Sequence, residues 1–188
     1  MNETLSGKLG AVQYANTIRR RTPRLGDKWH MDEMVITIKG EKHFLWRAVD
    51  QDGFVLDVLV QKRRNTKAAK RFMRTLLRGQ GCSARVMVSD KLRSYGAAKR
   101  ELGMSVCEHR AHKGLNNRIE NSHRLSRKRE KIMGRFKSLR QAQRFLSAHD
   151  QVNTIFRPRR YNLTAISYRH ARTDAFALWR DYTAEMNA

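Results

Sequence analysis

The chain is short of the residues that interrupt or staple a fold. Two prolines stand far apart, at Pro23 and Pro158, which argues against a disordered, proline-rich chain. The two cysteines, Cys82 and Cys107, lack metal-site spacing and a partner cluster. That excludes a disulfide framework or zinc site and leaves two free thiols, as in a reducing cytoplasm. No apolar run approaches the roughly 18 residues needed to span a bilayer. The first residues, Met-Asn-Glu-Thr-Leu-Ser, lack the charged start and apolar stretch of a signal peptide. The expectation is a soluble cytoplasmic protein with no membrane partner. Acids are also scarce, with 17 Asp and Glu against 40 Lys and Arg.

What is abundant is positive charge. The formal charge of +23 on 188 residues attracts polyanions and binds phosphate backbones by counterion release. The charge runs along the whole chain, unlike a short membrane-surface helix. A nucleic acid is therefore the expected partner, as for a ribosome-like or histone-like binder. The length suits one ordinary domain plus an extension.

Residues 1–26 are poor in apolar side chains and end in a basic run around Arg19-Arg20-Arg21. They read as a basic lead-in. From Trp29 the pattern changes to three β-branched, apolar stretches, 31–38, 43–49 and 54–60, joined by short polar turns. That spacing predicts an antiparallel meander. Asn65-Thr66 can cap a helix whose Ala69, Phe72, Met73, Leu76 and Leu77 make one apolar stripe. A short strand, 85–90, follows and should lie parallel within the sheet after this crossover. A helix over 94–102, a brief fifth strand over 105–108 and a helix capped by Asn116-Asn117 come next. The last of these is too charged beyond Arg124 for more than its first turns to face a core. Further helices are signalled from Leu139 to Val152 and from Ala171 to Tyr182. The pattern predicts an α/β fold: a five-stranded mixed sheet flanked by helices, with a helical C-terminal extension. The domains read as 1–26, 27–157 and 158–188.

Three acids hold distinctive positions in this frame. Asp32 lies on the first strand, Asp90 at the C-terminal end of the fourth, and Glu120 in the first turns of the helix after the fifth. If the first and fourth strands are neighbours, Asp32 and Asp90 meet at one edge of the core, and the entering helix can bring Glu120 over them. Clustered carboxylates repel one another without a cation, and an oxygen-only set suits Mg²⁺ or Mn²⁺. Two such ions can stabilise both the attacking and leaving oxygens of an in-line displacement at phosphorus. Glu33, the next residue on the strand, should point to the opposite face and is set aside. His123 shares a helix face with Glu120 and could reach the site or a phosphate. His109, Arg110, His112 and Lys113 can line a DNA groove, and Lys91, Arg124, Arg127 and Lys128 extend that basic set.

The stretches Trp29-His30-Met31-Asp32-Glu33, Trp46-Arg47-Ala48-Val49-Asp50, Ser89-Asp90-Lys91 with Tyr95, and Asn116 to Arg124 together resemble the catalytic core of bacterial DDE transposases, the insertion-sequence family six group above all. Phe136-Lys137-Ser138 and the helix after it also fit, so the resemblance covers most of residues 15–188 in order. It implies a ribonuclease-H-like fold, Mg²⁺ (or Mn²⁺) dependence, and Asp32, Asp90 and Glu120 as the ligands of two ions. It also implies DNA cleavage and strand transfer at element ends, by an oligomer on DNA. Two departures stand out. Only 29 positions separate Asp90 from Glu120, fewer than is usual for the group, which leaves Glu108 as a rival acid. The helix-turn-helix region that usually precedes the core also reads as missing. An alternative is a truncated, inactive remnant that only binds DNA. A ribonuclease H would share the fold and the acids.

Overall fold

The computed structural model describes residues 26–90, 92–112, 114, 116–156 and 163–187. The expectations for the N-terminal lead-in and for the domain boundary at 157/158 lie outside these residues. By its contacts the chain divides into one compact unit spanning Pro23–Leu146 and a second that takes in Ser147–Ala188.

The first unit is built on β1 (Lys28–Ile38), β2 (Glu41–Asp50), β3 (Val55–Gln61), β4 (Val86–Ser89) and β5 (Glu108–Ala111). Their order in the sheet is β3-β2-β1-β4-β5. The meander is antiparallel, and β4 joins β1 in parallel, as a crossover connection requires. The β1–β2 connection has two residues, Lys39 and Gly40, both at positive φ (50° and 82°). That is the backbone of the tight hairpin turn whose twist matches the flanking strands. The β2–β3 turn is held by Asp50, whose Oδ1 accepts from the Asp52 and Phe54 amides at 2.9 Å each.

Alternation along β1 separates two cores. Trp29 and Met31 face one side with Trp46, Ala48 and Leu56, beneath helices α1 (Thr66–Gln80) and α2 (Arg93–Glu101). Met34, Ile36 and Ile38 face the other, with Leu45, Val58, Val60 and Phe136. Ala142 and Leu146, from the start of α4 (Leu139–Phe156), close that second core. A bulge where Ala48 and Val49 meet β3 explains why Leu56 and Val58, two residues apart, belong to different cores. The stripe expected on α1 is buried through Ala69, Phe72, Met73 and Leu76, and Gly81 ends the helix at φ 67°.

β5 occupies Glu108–Ala111 rather than the expected 105–108. Its pattern is mostly exposed, because it is the edge strand and has little apolar alternation to reveal it. Cys107 supplies the buried apolar side chain from the turn just before it.

The pairing of β1 with β4 covers only Lys28 to Met31. Helix α3 (Asn117–Ile132) serves the edge left open beyond that point. Asn116 Nδ2 donates to the Met31 carbonyl at 3.0 Å, and the Thr37 amide donates to Glu130 Oε1 at 3.2 Å. Fourteen helical residues and six strand residues each span about 20 Å, so helix and strand run side by side. Asn116 does stand at the N-cap, but its side chain makes no capping bond there. The tie to β1 is what it provides.

In the second unit, the C-terminal half of α4 and helix α5 (Ala165–Asn187) share an aromatic cluster. Phe156 lies 5.1 Å from Phe176 and 5.6 Å from Trp179, centroid to centroid. None of the helices, among the described residues, is long and apolar enough to cross a membrane.

Candidate metal centre at the open end of the sheet

β4 stops at Ser89, paired with Met31. The next residue on each strand is an acid, Asp32 on β1 and Asp90 after β4. Both therefore emerge where the ladder ends. Asp90 is fixed by its own turn: its Oδ1 accepts from the Leu92 amide at 3.0 Å, at the start of α2. Behind it, Ser89 Oγ donates to the Asp90 carbonyl at 2.9 Å and lies 2.8 Å from His109 Nε2.

Asp32 faces α3. Its Oδ2 lies 3.3 Å from His123 Nε2, though the ring nitrogen is not aimed squarely at the oxygen. Burial pulls the His123 pKa below its ordinary value, and the adjacent Asp32 carboxylate acts against that shift. Directly across the ladder from Asp32 stands Arg47, fully buried. Its guanidinium donates to the Ser122 carbonyl at 2.6 Å, to Ser122 Oγ at 3.0 Å and to Ser126 Oγ. One buried arginine thus fastens the face of α3 carrying Ser122, His123 and Ser126 to the strand beside Asp32.

Glu33 does point to the opposite face, as alternation demands. There its side chain is almost wholly buried, 1% exposed. Yet it is not removed from the site. Because β4 has ended, the long glutamate side chain bends around the sheet edge, and one oxygen from each of Asp32, Glu33 and Asp90 lies within 4.8 Å of the others. The Tyr95 hydroxyl donates to Glu33 Oε2 at 3.0 Å. Arg64 donates through Nε to Glu33 Oε1, and its second nitrogen lies 3.5 Å from Asp90 Oδ2. Burial pushes the Glu33 carboxyl up to about 7; Arg64 opposes the rise, and the charges of Asp90 and Asp32 add to it. Burial also raises the Tyr95 phenol well above its ordinary range, so it remains a donor. The sequence reading set Glu33 aside on face alternation, which says nothing about where the neighbouring strand stops. The tandem Asp-Glu at the head of a strand was the available signal.

Glu120 occupies the first turn of α3, one turn before His123, and its side chain is exposed. Among the described residues the close acid group consists of Asp32, Glu33 and Asp90, without Glu120. Glu108, the rival acid, is paired with Arg110 at 2.7 Å on the edge strand. Of the basic set, Arg124, Arg127 and Lys128 are exposed on α3. Arg110 and His112 are exposed on and just after β5, while Lys91 and Lys113 lie outside the described residues. His123, on the buried face of α3, is 5% exposed and lies beside Asp32.

The three converging carboxylates are an oxygen-only donor set, with Arg64 against Glu33 and Asp90 and the His123 ring beside Asp32. That set fits a hard divalent cation.

Comparison with known proteins bears on the family and the fold. A family model described as "DDE domain" matches residues 26–159. The chain is 30% identical over 141 residues to the transposase for insertion sequence-like element IS431mec of Staphylococcus aureus, covering 72% of this chain and 61% of that protein. The same figures hold for the transposase for insertion sequence element IS257 in transposon Tn4003 of Staphylococcus aureus. The chain thus spans 61% of the length of these relatives. Among solved structures, it is similar to the simian T-cell lymphotropic virus intasome in complex with PP2A regulatory subunit B56 gamma. The TM-score there is 0.54 at 16% identity, covering 78% of this chain and 54% of that one. It is also similar to the HTLV-2 integrase catalytic core domain in complex with magnesium (trimeric form), with a TM-score of 0.51 at 16% identity over 70% of this chain and 86% of that one. These likenesses show the ribonuclease-H-like fold. With the domain match covering most of the chain and the transposases its relatives by sequence, the chain belongs to the DDE transposases of the insertion-sequence family six group.

Proposed function

We propose that this chain acts as the catalytic domain of a DNA transposase, cutting DNA at the ends of an insertion element and joining the freed 3′ end to target DNA. The observation that carries the reading is the meeting of Asp32 and Asp90 where β4 ends beside β1, with their oxygens in one close acid group. Asp32 and Asp90 would hold Mg²⁺ or Mn²⁺, with Glu120 as the third carboxylate from the first turn of α3. Two ions bound there would supply activation of a water or 3′-hydroxyl and charge stabilisation for an in-line displacement.

The chain's own groups supply the rest. Arg47 anchors α3 and with it the level at which Glu120 enters. His123 packs against Asp32 and restricts its carboxylate. Arg124, Arg127 and Lys128 offer exposed cations to the phosphate backbone, and Arg110 and His112 extend that surface from β5. The acting form is a homo-oligomer on DNA, which brings two element ends together.

The test uses the full chain, a duplex carrying the element end, and Mg²⁺ or Mn²⁺. Nicking and strand transfer are expected, and Asp32→Asn and Asp90→Asn should reduce both to background while weakening Mn²⁺ binding. Absence of both activities, with metal binding unchanged in the two variants, would overturn the reading. DNA binding alone decides nothing, because a chain of this charge binds duplexes non-specifically.

A further inference from the structure

The acid group already holds a cation of its own. Arg64 lies in the β3–α1 connection, one residue before Asn65, whose Oδ1 accepts from the Ala68 amide at 3.0 Å and so caps α1. From that anchored position a single guanidinium reaches two of the three acids, Glu33 through Nε and Asp90 at 3.5 Å through a terminal nitrogen. The two ends of this contact are unlike. Glu33 is buried and also held by Tyr95, while the Arg64 side chain is 42% exposed and enters from the solvent side. The Asp90 arm is the long one, and the other oxygen of that carboxylate is engaged by the Leu92 amide.

A divalent ion on Asp32 and Asp90 needs lone pairs on Asp90 that the guanidinium faces. It would also bring two positive charges to within a few ångströms of a third. At such distances like charges repel even with partial solvent screening. The arginine and the ion therefore compete, and the arginine's exposed side gives it a way out.

We propose that Arg64 is a resident counter-ion of the acid group, which a divalent cation must displace from Asp90 in order to load, so that Arg64 lowers the metal affinity of the site. Arg64 is thus a positioning residue that acts through Glu33 and Asp90. The inference rests on the metal-dependent reading above. Glu33 is its anchor: buried and fixed by Tyr95, it holds the guanidinium beside the acids instead of letting it swing into solvent.

The test is binding of Mn²⁺ to the full chain without DNA, followed by the loss of the free-ion signal in electron paramagnetic resonance, with folding checked by circular dichroism. Arg64→Gln should tighten Mn²⁺ binding on the order of tenfold, the scale expected for removing a charge this close. Arg64→Lys should tighten it by less, since an ammonium keeps the charge but cannot fork between two carboxylates. Arg63→Gln removes a charge from the exposed neighbour without touching the acids, and should leave binding as it was. Unchanged or weaker binding in Arg64→Gln, or an equal gain in Arg63→Gln, overturns the proposal. If Arg64→Gln fails to fold, Arg64→Lys decides by the same rule. Asp90→Asn separates the two levels of the argument. Loss of Mn²⁺ binding there upholds the metal site whatever Arg64 does, and unchanged binding sinks the site and this inference together.

Discussion

Arg47 shows how much one side chain can be asked to do. It is a fully buried cation whose described bonds go to α3, at Ser122 and Ser126, while its strand position faces Asp32. Arg47→Met fills the space but leaves the Ser122 carbonyl and two hydroxyls without their donor. It should destabilise the first unit by about 3 kcal/mol, read as a lower urea midpoint, and α3 should show faster amide exchange. His109 allows a pH prediction. Burial, aided by Lys99, holds its pKa below the ordinary 6.5. The unfolded chain therefore takes up a proton first as the pH falls. Its contribution to stability is complete above pH 6.5 and declines below it. Denaturant melts between pH 7 and pH 5 should show that decline, and His109→Gln should flatten it. At this scale Asp32 and Asp90 were legible in the sequence, because an acid near the head of one apolar strand and another at the end of a second invite explanation in so basic a chain. The Arg64–Glu33–Tyr95 network was not, since it joins residues 62 positions apart in sequence through an edge that no periodicity marks.

Elements were legible in proportion to how much of their pattern came from burial. Helix α1 could be read from cap to stop because its stripe, Asn65 and Gly81 all act locally. Asn65→Ala should cost about 1 kcal/mol in thermal or urea melts, and because Arg64 is the adjacent residue it should also loosen that side chain's hold on the acids. Strand β5 was misplaced by three residues because an exposed edge strand writes no alternation into the sequence. Asn116 looked like an ordinary cap, and its real partner is the Met31 carbonyl. Asn116→Ala should therefore act on the α3–β1 seam rather than on helix content. Its expected signature is a lower melting temperature with unchanged far-ultraviolet circular dichroism per folded molecule.

Across the whole molecule the net charge of +23 predicts how DNA binding behaves. Affinity for a duplex of any sequence should fall by about a thousandfold or more between 50 and 200 mM salt, measurable by fluorescence anisotropy. Neutralising Arg124, Arg127 and Lys128 together should make that dependence shallower. The sheet order was within reach of sequence reasoning, because one crossover helix after a meander leaves few ways to place β4. The long β1–β2 ladder has a further effect. Its ten paired positions are counted from the two residues at its tip, Lys39 and Gly40, and the acids sit about 20 Å along the strand from there. That turn works as the zero mark of a ruler. Adding one residue to it would tend to slide β2 against β1, setting Arg47 opposite a different neighbour and unseating α3 from Asp32, so a lesion at the far tip of the hairpin would disorder an acid group it never touches.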